Sequence, residues 1–165
     1  MAIEGFLLTL AQIAVTFAGL VGIMIAFTAG NGKLTLSDSL RVRVIVILSI
    51  YIVLFSLLPL ALLTISIFAP YAYSFSVVLF LIFLVIFFIS QRRHELRAGK
   101  LVMKDIQGAH RDMAWLIMSL VITLNIVNLS PLLGPVQPGL YGIALLLSMF
   151  ASGVVYIGLI AQRLL

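Results

Sequence analysis

The chain has 165 residues, of which 64% are hydrophobic and only 9% are charged. A soluble domain carries roughly 25% charged residues, so this composition excludes an ordinary soluble protein. The formal net charge is +5, and the lack of cysteine excludes disulfides, thiol catalysis, cysteine-based zinc sites and iron–sulfur clusters. The apolar residues form long continuous runs, which predicts an all-α integral membrane protein.

Five membrane-spanning helices are predicted in chain order, within a single integral membrane domain that covers residues 1–165. Their predicted bounds are 5–29, 44–68, 72–90, 113–132 and 139–162. Two basic loops, 30–43 and 91–112, follow the first and third helices. The other two connections are uncharged and contain proline, which is typical of tight turns.

The basic residues predict how the chain crosses the membrane. All ten Lys and Arg residues fall in segments 30–43, 91–112 and 163–165, which share one side of the membrane in a five-helix arrangement. Loops rich in Lys and Arg stay in the cytoplasm. We therefore expect a five-transmembrane-helix bundle with its amino terminus outside and its carboxyl terminus inside.

The first helix carries a polar stripe, defined here as five residues that recur at steps of four and three. These are Gly5, Thr9, Gln12, Thr16 and Gly19. Bulky apolar residues recur at the same kind of steps on another face of the helical wheel, namely Phe6, Leu10, Ile13, Phe17, Leu20 and Met24. An amide that lacks a partner in hydrocarbon costs several kcal/mol, so the stripe is expected to face protein or water.

A ladder of small residues spaced by four runs along the same helix. Its members are Ala14, Ala18, Gly22, Ala26 and Gly30. Small residues at this spacing let two helices approach closely. We interpret the ladder as a helix-packing surface, either within one protomer or between copies.

Polar residues of later helices fall near the depth of Gln12. At 1.5 Å per residue, Asn125, Asn128 and Ser148 lie within about 8 Å of the membrane centre on its outer side. Pro59 lies at a similar depth and frees a backbone carbonyl one turn earlier. Two interpretations stay open: a closed hydrogen-bond network that fixes helix packing, or a water-accessible cavity whose wall joins the polar stripe to the asparagines.

The predicted spans contain no Asp, Glu, Lys, Arg or His within their hydrocarbon part. Proton-coupled transporters and voltage sensors need ionisable groups there, and intramembrane hydrolysis needs a base or metal ligands. We therefore expect no enzymatic activity, no cofactor and no metal site. His94, Glu95 and His110 lack the helical spacing of a metal-ligand pair.

The loop 91–112 is expected to contact anionic lipid headgroups on the cytoplasmic side. The basic residues assigned to this contact are Arg92, Arg93, Arg97, Lys100 and Lys104. The third helix is predicted to continue beyond its membrane span, which ends at residue 90, into the cytoplasm as far as Ala98, with Gly99 as its stop signal. Nucleic acid is not an expected partner, because no basic domain exists apart from the loops.

Two smaller assignments concern the aromatic residues. The third helix is rich in Phe and has few polar residues, so we assign it to the lipid-facing rim. Tyr71, Tyr73 and Tyr141 at the outer boundary and Trp115 at the inner boundary are interpreted as interfacial anchors.

These features predict a small homo-oligomeric membrane channel or passive permease for a small ion or polar solute, with the first helix lining the pathway. The alternative is a non-catalytic accessory subunit whose small-residue faces dock a larger membrane protein. A membrane enzyme acting on lipid lacks catalytic groups. The sequence of residues 10–20, Leu-Ala-Gln-Ile-Ala-Val-Thr-Phe-Ala-Gly-Leu, resembles that of small bacterial membrane proteins. This resemblance implies that the protein lies in a bacterial inner (plasma) membrane.

Overall fold

A computed structural model of the chain describes the backbone of residues 2–30, 36–106, 109–130 and 135–164. Side chains are described for residues 3–23, 26, 41–93, 112–130 and 135–157. The helices are α1 (Ala2–Gly30), α2 (Leu36–Leu63), α3 (Ala72–Ile106), α4 (Ala109–Leu129) and α5 (Pro138–Leu164), and a 3₁₀ turn, Ala69–Tyr71, precedes α3.

Each of the five helices contains an apolar segment long enough to cross a membrane. No strand occurs in the described ranges. The prediction of an all-helical membrane protein with five spanning helices is therefore confirmed. The direction in which the chain crosses the membrane, and its organisation as a single domain, stay predictions.

The helix ends differ from the predicted bounds where local chemistry outweighs the apolar pattern. α2 begins at Leu36 rather than 44, so residues 36–43 of the predicted basic loop 30–43 belong to the helix. It ends at Leu63 rather than 68, because the next residues close i→i+3 turns, with the Thr64 amide donating to the Ala61 carbonyl at 3.3 Å. α4 ends at Leu129 rather than 132, because a residue that precedes proline, here Ser130, is disfavoured in the helical conformation.

The predicted end of the third helix at Ala98 is wrong. α3 runs on without a break to Ile106, so it includes Gly99 and most of the predicted basic loop. A glycine inside a helix costs only about 1 kcal/mol relative to alanine. The residues on either side of Gly99, Ala98 and Lys100 among them, are strong helix formers and offset that cost.

The helices are arranged around a central pair, α2 and α5, which contact each other. α3 and α4 pack together on one side of this pair. α1 packs in the seam on the other side and, within the described part of the chain, has backbone contacts only with α2 and α5. One whole side of α1 therefore points away from the protomer.

The core is built from apolar side chains, with an aromatic cluster at its centre. Phe55 of α2 lies 5.0 Å from Phe80 of α3, and Phe80 lies 6.2 Å from Tyr141 of α5, measured between ring centroids. α3 thus buries one face, including Phe80 and Leu84, while its Phe75 is exposed. Only the exposed face of α3, which carries Phe75, therefore fits the predicted lipid-facing rim.

The start of α1 packs against α5 at Gly142. A Cβ added at Gly142 would lie 2.9 Å from Cε1 and 3.3 Å from Cδ1 of Phe6, and 3.4 Å from Cδ1 of Ile3. A real Cβ does not approach a carbon atom at 2.9 Å. The absence of a side chain at Gly142 therefore leaves the space in which Phe6 and Ile3 of α1 pack against α5.

We predict that Gly142→Leu destabilises the protein by about 1–3 kcal/mol, the usual cost of overpacking, because Phe6 has to move off α5. The measurement is detergent unfolding followed by circular dichroism. Gly139→Leu is the matched control, since an added Cβ at Gly139 meets nothing within 4 Å. Adding Phe6→Ala should restore part of the loss, and equal losses for the two glycine variants would contradict the prediction.

Candidate functional site

The polar stripe of α1 faces away from the rest of the protomer. All five of its residues are exposed. The residues that α1 buries against α2 and α5 lie on the other side and include Leu7, Leu10, Ala14 and Val21. At 100° per residue the two sets are centred about 180° apart, so the stripe is as far from the protomer interior as the helix allows.

Only one residue of the stripe has unmet hydrogen-bond donors in its side chain. The Thr9 hydroxyl donates to the Gly5 carbonyl at 2.9 Å, and the Thr16 hydroxyl donates to the Gln12 carbonyl at 2.9 Å. The Gln12 side-chain amide has no hydrogen-bond partner among the described residues. The stripe therefore presents one free amide, two hydroxyl oxygens that can still accept, and bare backbone at its glycines.

Bulky apolar residues flank the polar stripe on both sides and are exposed as well. Leu8 and Val15 lie along one edge, and Ile13 and Leu20 lie along the other. The polar surface is thus one residue wide and lies between two apolar ridges. Such ridges suit lipid or a neighbouring helix, whereas the amide between them does not suit lipid.

The ladder of small residues passes from the buried to the exposed side of α1. Ala14 is buried, Ala18 is half-buried, and Gly22 and Ala26 are exposed. The surroundings of Gly30 lie outside the described residues. A spacing of four residues advances 400° around the helix, so each step drifts by about 40° from the seam with α2 and α5 towards the polar stripe.

Asn125, Asn128 and Ser148 lie inside the protomer and are almost fully buried. Asn125 donates to the Val121 carbonyl at 2.8 Å, and Ser148 donates to the Ala144 carbonyl at 2.9 Å. Because α1 has no close backbone contact with α4 in the described ranges, the structure does not bring these residues together with the stripe. Within one protomer the stripe and the two asparagines do not form the joint wall that one of the two interpretations requires.

Asn128 connects the end of α4 to the start of α5. Its Nδ2 donates to the backbone carbonyl of Gln137 at 3.2 Å, and its Oδ1 accepts from the backbone N–H of Gln137 at 2.8 Å. The side chain thereby pairs with the backbone just before Pro138, where α5 begins. This pairing fixes how α5 enters the bundle.

A buried hydrogen bond between α5 and α2 was not expected from the sequence. Tyr141, which we interpreted as an interfacial anchor, is fully buried, and its hydroxyl donates to the Phe55 carbonyl at 2.6 Å. Pro59 has no N–H, so the Phe55 carbonyl four residues earlier lacks its helical donor. The freed carbonyl was visible in the sequence, but nothing in the sequence showed which hydroxyl would reach it.

Three buried oxygen atoms in the same bundle have no partner among the described residues. They are Oγ of Ser56, Oδ1 of Asn125 and Oγ of Ser152. Asn125 and Ser148 each donate to the carbonyl four residues earlier on their own helix. The buried polar side chains are therefore only partly connected by hydrogen bonds between helices.

Basic residues collect at the opposite end of the bundle from Tyr141. Arg43, Arg92 and Arg93 are exposed there, and Trp115 of α4 packs edge-on against Phe88 of α3, with ring centroids 4.2 Å apart. The side chains of Arg97, Lys100 and Lys104 lie outside the described residues, although their backbone belongs to α3.

The described side chains contain no group of three His, Cys, Asp or Glu residues that could hold a metal ion. The side chains of His94, Glu95 and His110 lie outside that part of the chain. Comparison with protein families, with curated proteins and with solved structures finds no match to this sequence or fold.

We predict that Tyr141→Phe destabilises the protein by about 1–3 kcal/mol, because it leaves the Phe55 carbonyl buried without a donor. In a Pro59→Ala background the same change should cost less, since an alanine at that position supplies the missing N–H. Detergent unfolding measures both losses. Tyr71→Phe is the control, because Tyr71 is 67% exposed. An equal cost in both backgrounds would contradict the proposed role of the hydroxyl.

Proposed function

We propose that the protein is a small homo-oligomeric membrane channel or passive permease whose pathway forms between copies, lined by the polar stripe of α1. The observation that carries the proposal is the position of Gln12. Its amide lies at membrane depth, exposed and without a partner among the described residues, on the side of α1 that faces away from its own protomer.

The physical argument begins with the cost of leaving this amide in lipid. An unpaired amide in hydrocarbon costs several kcal/mol, so the stable arrangement supplies either protein or water at Gln12. Copies of the same chain supply both when they meet around a symmetry axis, because each contributes an identical stripe. In such a ring the polar stripes face the axis, while the ridges beside them, such as Val15 and Leu20, pack between neighbouring α1 helices.

The chemistry of the stripe suits a small neutral solute or a weakly held ion. Amide, hydroxyl and backbone oxygens can replace part of a hydration shell without binding the solute tightly. Glu4 is the only ionisable residue at the mouth of the stripe, and residues 5–23 of α1 carry no charge. Transport along this surface would therefore be passive, because no side chain of residues 5–23 can take up a proton to drive it.

The proposal includes the orientation and the location of the protein. The amino terminus lies outside and the carboxyl terminus in the cytoplasm, which places every Lys and Arg on the inner side of a bacterial inner (plasma) membrane. Basic residues around the inner mouth give a slight preference for anions.

A second candidate has a specific observation in its favour. Both threonine hydroxyls of the stripe donate to carbonyls of their own helix, so Gln12 is the one side chain of the stripe with an unused donor. One amide between apolar ridges is enough to hold two helices together without any water. In this candidate the stripe docks a larger membrane protein, and the chain is a non-catalytic accessory subunit.

The test is flux into liposomes that contain the purified protein, with urea, glycerol and potassium chloride as probes. We expect permeability to at least one probe above that of protein-free liposomes. Gln12→Leu should change it about fivefold, which corresponds to roughly 1 kcal/mol for one lost hydrogen-bonding site.

The matched control is Ile126→Leu on the outward face of α4, where the residue is 57% exposed. It should leave the flux unchanged. Liposomes with the wild-type protein that admit none of the probes, together with co-purification of a larger membrane protein, would favour the accessory subunit. Equal effects of Gln12→Leu and Ile126→Leu would contradict a pathway along the stripe.

A further inference from the structure

The line of the polar stripe continues beyond Gly19 to an apolar residue, Ile23. At 100° per residue the five stripe residues spread over about 80° of the helix, and Ile23 falls at the centre of that arc. Its side chain is 57% exposed, so α2 and α5 leave it uncovered. Whatever the outward side of α1 faces, Ile23 therefore faces it together with Gln12.

Ile23 adds apolar bulk next to the most open part of the stripe. Gly19 lies one turn nearer the outer end, and an added Cβ there would meet nothing within 4 Å. Within about 6 Å of helix the outward side of α1 thus changes from bare backbone to a branched apolar side chain. Gln12 is longer than Ile23 but carries its own amide, whereas Ile23 has no group that can form a hydrogen bond.

The described part of the protomer behind Ile23 is packed with apolar side chains. Val21 and Ile45 are fully buried in one cluster between α1 and α2. Phe17 and Tyr156 pack against this cluster, and their ring centroids lie 5.3 Å apart. A solute that follows the stripe therefore has to pass Ile23 on the outward side of α1, because the protomer is filled at this level.

An apolar constriction opposes ions far more than it opposes neutral molecules. Taking an ion out of water without replacing its hydration costs much more free energy than doing the same to a neutral hydroxyl or amide group. The oxygen atoms of Thr9, Gln12 and Thr16 can replace part of a hydration shell, whereas the Ile23 side chain cannot. A ring of isoleucines therefore admits a small neutral molecule more readily than any ion.

We propose that Ile23 forms an apolar constriction near the inner end of the pathway and restricts transport to small neutral solutes, the class that urea and glycerol represent. This inference rests on the proposed function, because the ring forms only when copies meet along the polar stripe. It narrows the solute from a small ion or polar molecule to a neutral one. The slight preference for anions at the inner mouth then applies only to ions that leak past Ile23.

The experiment compares the fluxes of urea, glycerol and potassium chloride into liposomes that contain the protein, each corrected for protein-free liposomes. We expect the wild-type protein to admit urea or glycerol about tenfold or more faster than potassium chloride. Ile23→Ser shortens the side chain and adds a hydroxyl, so this ratio of neutral to salt flux should fall about fivefold. Ile23→Leu keeps an apolar side chain of the same size and should hold the ratio within about twofold.

The matched control is Ile126→Ser on α4, since Ile126 is likewise 57% exposed but lies away from the stripe. It should leave the ratio unchanged. Circular dichroism in detergent checks that each variant folds. If Ile23→Ser does not fold, Ile23→Ala takes its place and should lower the ratio by a smaller factor, because it widens the ring without adding a polar group.

The outcomes separate the constriction from the pathway. Equal effects of Ile23→Ser and Ile126→Ser on the ratio would overturn the constriction, as would a wild-type protein that admits potassium chloride as fast as urea and glycerol. If Gln12→Leu still alters the flux in that case, the pathway along the stripe stands without the constriction. Liposomes that admit no probe with either the wild-type protein or Ile23→Ser would remove the pathway and the constriction together.

Discussion

The structure depends on one constraint: a hydrogen-bonding amide at membrane depth needs a partner that lipid cannot give. Inside the protomer this requirement is met at Asn128, which pairs with the Gln137 backbone, and at the Phe55 carbonyl, which accepts from the Tyr141 hydroxyl, whereas Oδ1 of Asn125 has no partner among the described residues. At Gln12 it is not met among the described residues. The same physical rule that governs the bundle interior therefore makes the outward side of α1 incomplete, and our proposed function follows from that incompleteness.

The two groups of polar residues that looked alike in the sequence have different positions. Asn125 and Ser148 are buried inside the protomer and donate to carbonyls of their own helices. The polar stripe of α1 lies on the far side of the seam with α2 and α5 and cannot meet them in one protomer. A pathway that uses the stripe has to run between copies, and it would have a wall made of α1 alone.

The five helices could be predicted from the sequence, because long continuous apolar runs in a chain with only 9% charged residues are typical of membrane-spanning helices. It also separated the polar stripe from the bulky face of α1. It could not say which side of α1 the bundle would cover, since Leu10 ends up buried and Leu20 exposed although both belong to the bulky face. Gly99 does not end α3, because the preference for glycine at a helix end is weak. The burial of Tyr141 does not follow from the sequence, because its hydrogen-bond partner lies 86 residues away in the chain.

The most direct test of the central claim is disulfide cross-linking at position 12, which the cysteine-free sequence makes straightforward. Gln12→Cys is expressed in membranes and oxidised mildly, with Ile126→Cys on the outward face of α4 as the comparison at a similar depth. We predict that Gln12→Cys yields a covalent dimer of the chain and that Ile126→Cys does not. Monomeric Gln12→Cys under conditions that oxidise free thiols in the same membranes would contradict the claim that copies meet along the polar stripe.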